Sequence, residues 1–383
     1  MSGFMLDRVP AITQAEGALD GLGELAARLG GGAPVLLVAD PGLAAFGIIA
    51  RAHESLHKAG LSVLTFADIK SDPLAAQVDA AADLARQGGA AVTVALGGGS
   101  AMDAGKAAAA VAPGNARTLH YALCANPLSV KPLAKICVPT TSGTGSETTR
   151  TAIVTNDAGA KVWLWGDELK ADAVLLDPTL TVGLPPHLTA ATGIDALVHA
   201  VEACTNANAN AANDIYCHAA IRLVVQHLPA AMDNPADLAA RAGLQFAAAL
   251  AGIGIDNCGT AIAHNIGHAL ASLRPLHHGR AVGVAMLATL PWNVAEDPDG
   301  RFAAVAALLG VSDAAALPAA YERLLRGAGV KVSLAGEGFD DITPEKLAAQ
   351  MANEENAAMR RSNRRASSDA DLLDFARIVL GQA

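Results

Sequence analysis

The sequence has few aromatic residues and a deficit of basic charge. Only 3% of its 383 residues are Phe, Trp or Tyr, and 27 Lys and Arg stand against 37 Asp and Glu, a formal net charge of −10. Non-specific nucleic-acid binding needs a basic surface, so this balance excludes that class of function. The apolar share of 52% contains much alanine, which predicts a soluble, helix-rich protein with ample material for a core.

Neither a membrane span nor an export signal is predicted. No stretch reaches the roughly 18 uncharged apolar residues of a spanning helix, and the start of the chain has no basic segment followed by an apolar one. The five cysteines are scattered and form no CxxC pair, which is typical of free thiols in a reducing compartment. We therefore expect a cytoplasmic protein that does not associate with membranes.

The first half of the chain alternates between short apolar runs and helical patterns. Strands are predicted over residues 34–40, 61–66, 91–96, 135–138, 151–155, 161–165 and 173–176. Helices are predicted over residues 43–59, 74–87 and 101–111. This repetition predicts a doubly wound, Rossmann-like parallel sheet with helices on both faces.

The pattern changes near residue 185. Beyond it, apolar residues recur at helical spacing over residues 188–205, 211–228, 238–255 and 281–294. The sequence thus predicts an α/β domain over residues 1–184 and an all-α domain over residues 185–383. The cleft between two such domains is a usual place for a ligand.

Two polar loops are predicted at the carboxyl ends of strands. LGGGSAMDAGKAAAA follows a strand and opens a helix, so its glycines would let the backbone approach a phosphate. It is not a P-loop, because Ser100 and Ala107 break that pattern. The second loop, PTTSGTGSETTR, is dense in hydroxyls. Together they predict a diphosphate site, whereas either loop alone is also compatible with a plain turn or helix cap.

Asp40 ends the first predicted strand. A carboxylate there can accept hydrogen bonds from an adenosine ribose and repels a 2′-phosphate. If a dinucleotide binds, Asp40 favours NAD over NADP. An ordinary turn aspartate before Pro41 is the alternative.

Acidic and imidazole side chains cluster in the second half. Six candidates lie on or beside predicted helices: Asp195, His199, His264, His268, His277 and His278. The first two are four residues apart, as are the next two, so each pair faces one way on its helix. Burying such groups unpaired is costly, which favours a metal site over isolated core histidines. Three imidazoles and a carboxylate suit Fe²⁺ or Zn²⁺, but spacing alone does not select four ligands among six.

Together these motifs resemble the iron-containing (group III) alcohol dehydrogenase family over nearly the whole chain. The matching segments, in the family's order, are GGGSAMDAGK, PTTSGTGSETT, LLDPTLTVGLP, TAATGIDALVHAVEA, AHNIGHAL and HHGRAVGVAM. The resemblance implies the dehydroquinate synthase-like fold, with a dinucleotide-binding domain over residues 1–184 and a metal-binding, catalytic domain over residues 185–383. It also implies hydride transfer between a small primary alcohol or aldehyde and nicotinamide, and a homodimer or larger homo-oligomer.

The resemblance also implies roles for individual residues. The metal, Fe²⁺ or the Zn²⁺ used by some relatives, would be held by Asp195, His199, His264 and His278. Catalytic roles are implied for His268 and Lys161. NAD, in preference to NADP, would contact Asp40, Gly97, Gly98, Gly99, Ser100, Asp103, Thr140, Thr141, Thr144, Thr149 and Lys161. Substrate residues are expected by register at Thr151, Trp163, Ile255 and Met359. Core packing on a strand is the alternative for Trp163, and it is also expected for Trp165.

Other functions share parts of this pattern. Glycerol dehydrogenase and dehydroquinate synthase have the same fold and a metal site, and a diol or 4-hydroxybutyrate oxidoreductase would use the same residues. Maleylacetate reductases lack the metal carboxylate, which Asp195 would provide here. A non-catalytic nucleotide-binding scaffold is the alternative from another class, and metal content would distinguish it from an enzyme.

Overall fold

The computed structural model describes residues 3–129 and 131–382, and the chain forms two compact units. The α/β unit comprises Arg8–Thr141 and Gly145–Leu184. The helical unit comprises Pro185–Ala383, the short loop Ser142–Thr144 and the N-terminal segment that ends at Asp7. The loop PTTSGTGSETTR therefore contributes to both units.

The α/β unit is built on a parallel sheet. The strands of the described residues are β1 (Ala11–Gln14), β2 (Val35–Ala39), β3 (Val63–Phe66), β4 (Val92–Gly97), β5 (Ala134–Pro139), β6 (Thr151–Thr155), β7 (Lys161–Trp165) and β8 (Ala173–Leu176). Six of them form one sheet in the order β1-β8-β5-β4-β2-β3, and every pair in it is parallel. β2 and β4 are buried along their whole length, as expected for strands covered on both faces.

Helices cover both faces of this sheet, so the predicted doubly wound architecture is confirmed. They are α1 (Leu22–Gly30), α2 (Ile48–Lys58), α3 (Ala75–Gln87) and α4 (Gly99–Val111). One core cluster contains α1 and α2, and the other contains α3 and α4. The helix predicted over residues 43–59 is wrong at its start, because Pro41–Phe46 is a 3₁₀ segment capped by the Asp40 side chain.

Two predicted strands lie outside the parallel sheet. β6 and β7 pair with each other in an antiparallel hairpin, with Ile153 opposite Trp163. Val162 and Leu164 of β7 are buried, whereas Trp163 is only partly buried and Trp165 is exposed. A hairpin packed on one face alternates in this way. The core position considered for Trp165 is therefore wrong, because Val162 and Leu164 occupy the packed side of the strand. Core packing of the partly buried Trp163 stays a prediction.

The helical unit contains long helices around a buried central one. Its helices are α5 (Pro186–Thr205), α6 (Ala211–Asp233), α7 (Leu238–Cys258), α8 (Ile262–Leu273), α9 (His278–Val294), α10 (Arg301–Leu308), α11 (Leu317–Gly327), α12 (Pro344–Met351), α13 (Glu354–Ser362) and α14 (Asp369–Leu380). α5 packs on α6, α7 and α9 and is buried from Thr189 to Thr205 without interruption. Charged side chains on such a helix require partners inside the protein.

α7 is long and apolar enough to cross a membrane by length and composition alone, with a mean hydropathy of 1.5 over its most apolar window. However, 67% of that window is buried, and the helix packs on α5 and α6. Core helices of this kind meet the same criterion.

Candidate active site

Three buried polar side chains lie on one face of α5. Asp195, His199 and Glu202 follow each other at spacings of four and three residues, which places them above one another on a helix. They are 2%, 5% and 3% exposed. α5 therefore presents a polar stripe inside an apolar core.

Four side chains meet at the Asp195 and His199 end of this stripe. Asp195 and His199 are joined by His264 of α8 and His278 of α9, and one ligand-type atom from each lies within 4.8 Å of all the others. Asp195 Oδ1 lies 3.8 Å from His199 Nδ1, 4.0 Å from His264 Nε2 and 3.7 Å from His278 Nε2. Ligands about 2.1 Å from one ion lie about 3.4 Å apart in a tetrahedron. The four residues that the resemblance implies as ligands are thus together at spacings close to those around one ion.

The chemistry of these atoms fits a divalent metal. Asp195 Oδ1, His199 Nδ1 and His264 Nε2 are buried and have no hydrogen-bond partner within residues 3–129 and 131–382. Burial, together with the neighbouring His199, holds the pKa of His264 well below its usual value. A neutral imidazole is the form that binds a metal, and three imidazoles with one carboxylate suit Fe²⁺ or Zn²⁺.

His278 reaches the cluster because α9 packs very closely on α5. A Cβ at Gly279 would lie 2.1 Å from the Ala191 carbonyl oxygen, so only glycine allows this approach. The His278 side chain is 28% exposed, against 3% for Asp195, and it forms the accessible side of the cluster. His277 precedes α9 and is exposed.

His268 lies beside the cluster and is not one of the four. It stands one helical turn after His264 on α8, with its ring centroid 6.3 Å from that of His264 and 5.2 Å from that of His278. It is partly buried. This location suits a proton-transferring group next to the accessible side of the cluster.

Glu202 was not predicted as a site residue from the sequence. Its carboxylate lies 2.6 Å from His264 Nδ1 and accepts hydrogen bonds from the backbone of Ala261 and Ala263. Burial raises the pKa of Glu202 to about 7. The available signal was its position on the same face of the helix as Asp195 and His199.

In the α/β unit, the glycine-rich loop lies at the carboxyl ends of adjacent strands. Gly97 has a φ of +149°, and a Cβ there would lie 2.7 Å from Ala101 Cβ and 3.1 Å from Asp40 Cβ, so the position requires glycine. Gly98 caps α4, and Gly99 is its first residue. The N-terminus of α4, with its unpaired N–H groups, is therefore close to Asp40.

A fully buried lysine, which the sequence motifs did not single out, holds the hydroxyl-rich loop. Lys106 of α4 is 0% exposed. Its Nζ donates to Ser146 O at 2.7 Å, Thr151 O at 2.6 Å and Thr149 Oγ1 at 3.2 Å. The Asp103 carboxylate lies 3.7 Å from it. Lys106 therefore fixes the loop that leads into β6.

Asp103 is already bonded within the unit. It accepts hydrogen bonds from Ser146 Oγ at 2.5 Å and from the backbone of Ile153 at 3.1 Å. Both oxygens thus tie α4 to the hydroxyl-rich loop and to β6. Its predicted contact with a cofactor stays a prediction.

Three further predicted cofactor residues lie in the hydroxyl-rich loop. Thr140 and Thr141 belong to the α/β unit. The backbone N–H of Thr140 donates to Gly97 O at 2.9 Å. A Cβ at Gly98 would lie 3.3 Å from the Thr141 side chain, so the two loops are in close contact. Thr144 belongs to the helical unit.

Lys161 and Ser100 share one partner. Lys161 Nζ lies 2.7 Å from Asp72 Oδ1, and the Asp72 backbone N–H donates to Ser100 Oγ at 3.1 Å. Asp72 thus links the glycine-rich loop to the hairpin within the α/β unit. Asp72 engages both predicted cofactor residues, and their roles at the cofactor stay predictions.

The expected substrate residues fall in different units. Thr151 and Trp163 lie on the hairpin of the α/β unit, and Ile255 and Met359 lie on α7 and α13 of the helical unit. All four are partly buried. Their assignment to a substrate pocket stays a prediction.

Glu147 in the hydroxyl-rich loop predicts a pH-dependent stability. It is 1% exposed, and burial raises its pKa from 4.5 to about 7. A raised carboxyl pKa contributes stability at low pH that is lost as the pH rises through the folded-state value. The native protein therefore loses this contribution as the pH rises, whereas Glu147→Gln does not. The unfolding free energy of Glu147→Gln minus that of the native protein should increase by about 2 kcal/mol between about pH 5 and about pH 8. Urea titrations across that range measure the difference.

The control is Glu16→Gln, at an exposed position of the same unit, which should show no such trend. A difference in unfolding free energy that does not change with pH for Glu147→Gln would contradict the raised pKa of Glu147.

Sequence comparison places the whole chain in one family. Residues 10–178 match the family described as iron-containing alcohol dehydrogenase, and residues 189–377 match the C-terminal region of the Fe-containing alcohol dehydrogenase family.

Individual relatives support the same family membership. The chain is 34% identical over 341 residues to long-chain-alcohol dehydrogenase 1 of Geobacillus thermodenitrificans, covering 86% of each chain. It is 32% identical over 348 residues to the NAD-dependent methanol dehydrogenase of Bacillus methanolicus, covering 88% of this chain and 91% of that one. The crystal structure of sulfoacetaldehyde reductase from Bifidobacterium kashiwanohense in complex with NAD⁺ has a TM-score of 0.91 at 25% identity and covers 100% of both chains.

The fold and the site define a class of proteins, the two-unit α/β oxidoreductases with a metal centre. Its features are a doubly wound parallel sheet, a helical unit and a buried Asp–His cluster. Within this class, the chain belongs to the iron-containing alcohol dehydrogenase family. The predicted family, fold and general reaction, oxidoreduction of alcohols, are confirmed at family level.

Proposed function

We propose that this protein interconverts a small primary alcohol and its aldehyde with NAD(H) and a divalent iron. The observation that carries the proposal is the convergence of Asp195, His199, His264 and His278, three of them with buried ligand atoms that have no other partner in the described residues. The proposal assigns cofactor binding to residues 1–184, and metal binding and catalysis to residues 185–383.

The four cluster residues would hold the metal, Fe²⁺ or alternatively Zn²⁺. When bound, the ion supplies Lewis acidity towards a substrate oxygen, and the nicotinamide accepts or donates hydride. Asp195 contributes one carboxylate oxygen from a buried position, and the neutral imidazole of His264 keeps its lone pair available. Further substrate specificity does not follow from the family, because the relatives above are named for different alcohols and aldehydes.

His268 is proposed as the proton-handling residue. Its ring lies beside His278, on the accessible side of the cluster. Removing hydride from an alcohol also releases the hydroxyl proton, and an imidazole can accept a proton near neutral pH. Lys161 is proposed to act at the cofactor, from a position held by Asp72.

The cofactor is proposed to bind along the glycine-rich and hydroxyl-rich loops. Its diphosphate would meet the N-terminus of α4 at Gly98 and Gly99, where backbone N–H groups favour an anion. Thr140 and Thr141 supply further donors next to this loop.

Asp40 is expected to select NAD over NADP. Replacing it with glycine removes a carboxylate that would repel a 2′-phosphate, so the ratio of kcat/KM for NADPH to that for NADH should rise about tenfold or more. Steady-state kinetics with both cofactors measure this ratio. Asp157→Gly, at an exposed turn aspartate of the same unit, is the matched control and should leave the ratio unchanged. Continued exclusion of NADPH by Asp40→Gly would show that another residue discriminates.

A cytoplasmic location and a homodimer or larger homo-oligomer are also proposed. All five cysteines are free, and four of them are buried, which supports a reducing compartment. The oligomer rests on the resemblance to the family alone. Light scattering on the purified protein measures its mass, and a monomer would refute that part of the proposal.

The function is tested by NADH oxidation with a panel of short and long aldehydes. The protein is loaded anaerobically with Fe²⁺, and a chelator-stripped sample serves as the control. Turnover that depends on the metal and is restored by adding it back is expected. Equal turnover by the stripped sample would refute the role of the metal. A native protein that retains no iron and turns over no aldehyde or alcohol would favour the scaffold function instead.

A further inference from the structure

The carboxylate of Glu202 joins two helices next to the metal cluster. Its Oε2 lies 2.6 Å from His264 Nδ1 and accepts a hydrogen bond from the Ala261 backbone at 2.7 Å. Its Oε1 accepts a hydrogen bond from the Ala263 backbone at 2.6 Å. The side chain is 3% exposed. Short hydrogen bonds to a buried carboxylate are among the stronger polar contacts in proteins.

Two of these bonds compensate for a missing helix cap. The residue before α8 is Ala261, which has no side-chain acceptor, and the first N–H groups of a helix have no partners within it. Glu202, on α5, accepts two hydrogen bonds at this helix start, where a negative charge is favoured. Backbone donors therefore fix the carboxylate independently of His264.

The third bond determines which nitrogen of His264 carries a proton. Both oxygens of Glu202 accept backbone N–H groups at a helix start, an environment that favours the ionised form. An ionised carboxylate only accepts hydrogen bonds, so its imidazole partner must donate from Nδ1. In a neutral ring, a proton on Nδ1 leaves the lone pair on Nε2. His264 Nε2 is the atom that lies 4.0 Å from Asp195 Oδ1 and has no hydrogen-bond partner in the described part of the chain.

We propose that Glu202 is a positioning residue for the metal centre, which keeps His264 protonated at Nδ1 and directs Nε2 into the cluster. α5 would then supply two ligands, Asp195 and His199, and through Glu202 it would also orient a third, His264. This inference rests on the proposed function, because it presumes a metal ion at the cluster. Partners of this kind typically contribute 10–100-fold to metal affinity.

The test measures metal affinity in a variant that keeps the size of the side chain. Glu202→Gln replaces one acceptor oxygen with an NH₂ group, which would face a backbone N–H or the imidazole N–H as donor against donor. We expect the Kd of the chelator-stripped protein for Co²⁺ to rise about 10–100-fold and the visible d–d absorption of bound Co²⁺ to change. Competition with a coloured chelator gives the Kd without any activity measurement.

The matched control is Asn206→Ala, four residues further along the chain. Asn206 is also buried, and its Nδ2 donates to the backbone oxygens of Cys258 and Gly259 at 2.9 and 3.0 Å. Its loss should lower the melting temperature but leave the Co²⁺ affinity and spectrum unchanged. A purely structural role for Glu202 would give the same result as this control.

The outcomes separate the two proposals. If the native protein does not bind Co²⁺, the proposed metal function fails. If the native protein binds it and Glu202→Gln binds it equally well with the same spectrum, the role of Glu202 is refuted. If Glu202→Gln does not fold, ¹⁵N NMR of histidine in the native, metal-free protein decides. A proton on Nδ1 of His264 is expected there, and a proton on Nε2 would overturn the inference.

Discussion

Replacing His278 with alanine should abolish metal-dependent turnover. His278 Nε2 lies 3.7 Å from Asp195 Oδ1, and its removal would open the shell of four ligand-type atoms. The loss of metal affinity should exceed the roughly 10–100-fold typical of an outer partner, because a direct ligand is lost. Binding of NADH should change by less than about twofold, since His278 is proposed to hold the metal and is not among the residues proposed to contact the cofactor. Metal analysis after gel filtration and fluorescence titration with NADH measure the two quantities.

The adjacent residue provides a matched control. His277 has the same side chain, but it is exposed and lies outside the group of four. His277→Ala should therefore retain stoichiometric iron, at a level indistinguishable from the native protein. Equal iron content in His278→Ala and His277→Ala would refute the ligand assignment, and iron loss confined to His277→Ala would exchange the two roles.

Replacing Lys106 with methionine should destabilise the α/β unit and weaken cofactor binding together. The substitution keeps the apolar stem but removes the donor to Ser146 O, Thr151 O and Thr149 Oγ1. It also leaves the Asp103 carboxylate without its nearby cation, although burial already raises the pKa of that group. Acceptors and charges left unpaired inside a protein are costly, so we expect a loss of about 3 kcal/mol of unfolding free energy. Because the hydroxyl-rich loop loses its anchor, affinity for NADH should fall as well.

Lys135→Met is the control for this variant. Lys135 is also buried in the α/β unit, but its Nζ donates to Leu133 O at 3.0 Å and lies 3.8 Å from Asp172. With fewer partners, its loss should cost about 1 kcal/mol and leave NADH affinity unchanged. Denaturant titration and NADH titration of both variants separate the two effects. Equal NADH affinity in Lys106→Met and the native protein would show that the lysine supports the fold alone.

Much of the metal cluster could be predicted from local spacing. Asp195 and His199 lie on one face of a helix because they are four residues apart, and the family resemblance selected His264 and His278 among the remaining histidines. Glu202 has an equally clear position on that face, but its partner His264 lies 62 residues away in sequence. Nothing local indicates which distant helix start will meet it, so its contact could not be predicted. Lys106 was missed for the same reason, because its acceptors lie 40 to 45 residues further along the chain.

The strands show the same division between sequence and tertiary structure. β6 and β7 could be predicted from their residue pattern alone, because alternating burial is a property of each strand. Their pairing with each other outside the parallel sheet depends on tertiary contacts and could not be predicted. The same holds for the short, mostly exposed β1, which has little apolar pattern but forms an edge of that sheet by pairing Ala11 with Ala173 of β8. Burial along one element follows from its own residue pattern, whereas the choice of partner depends on contacts between residues far apart in the chain.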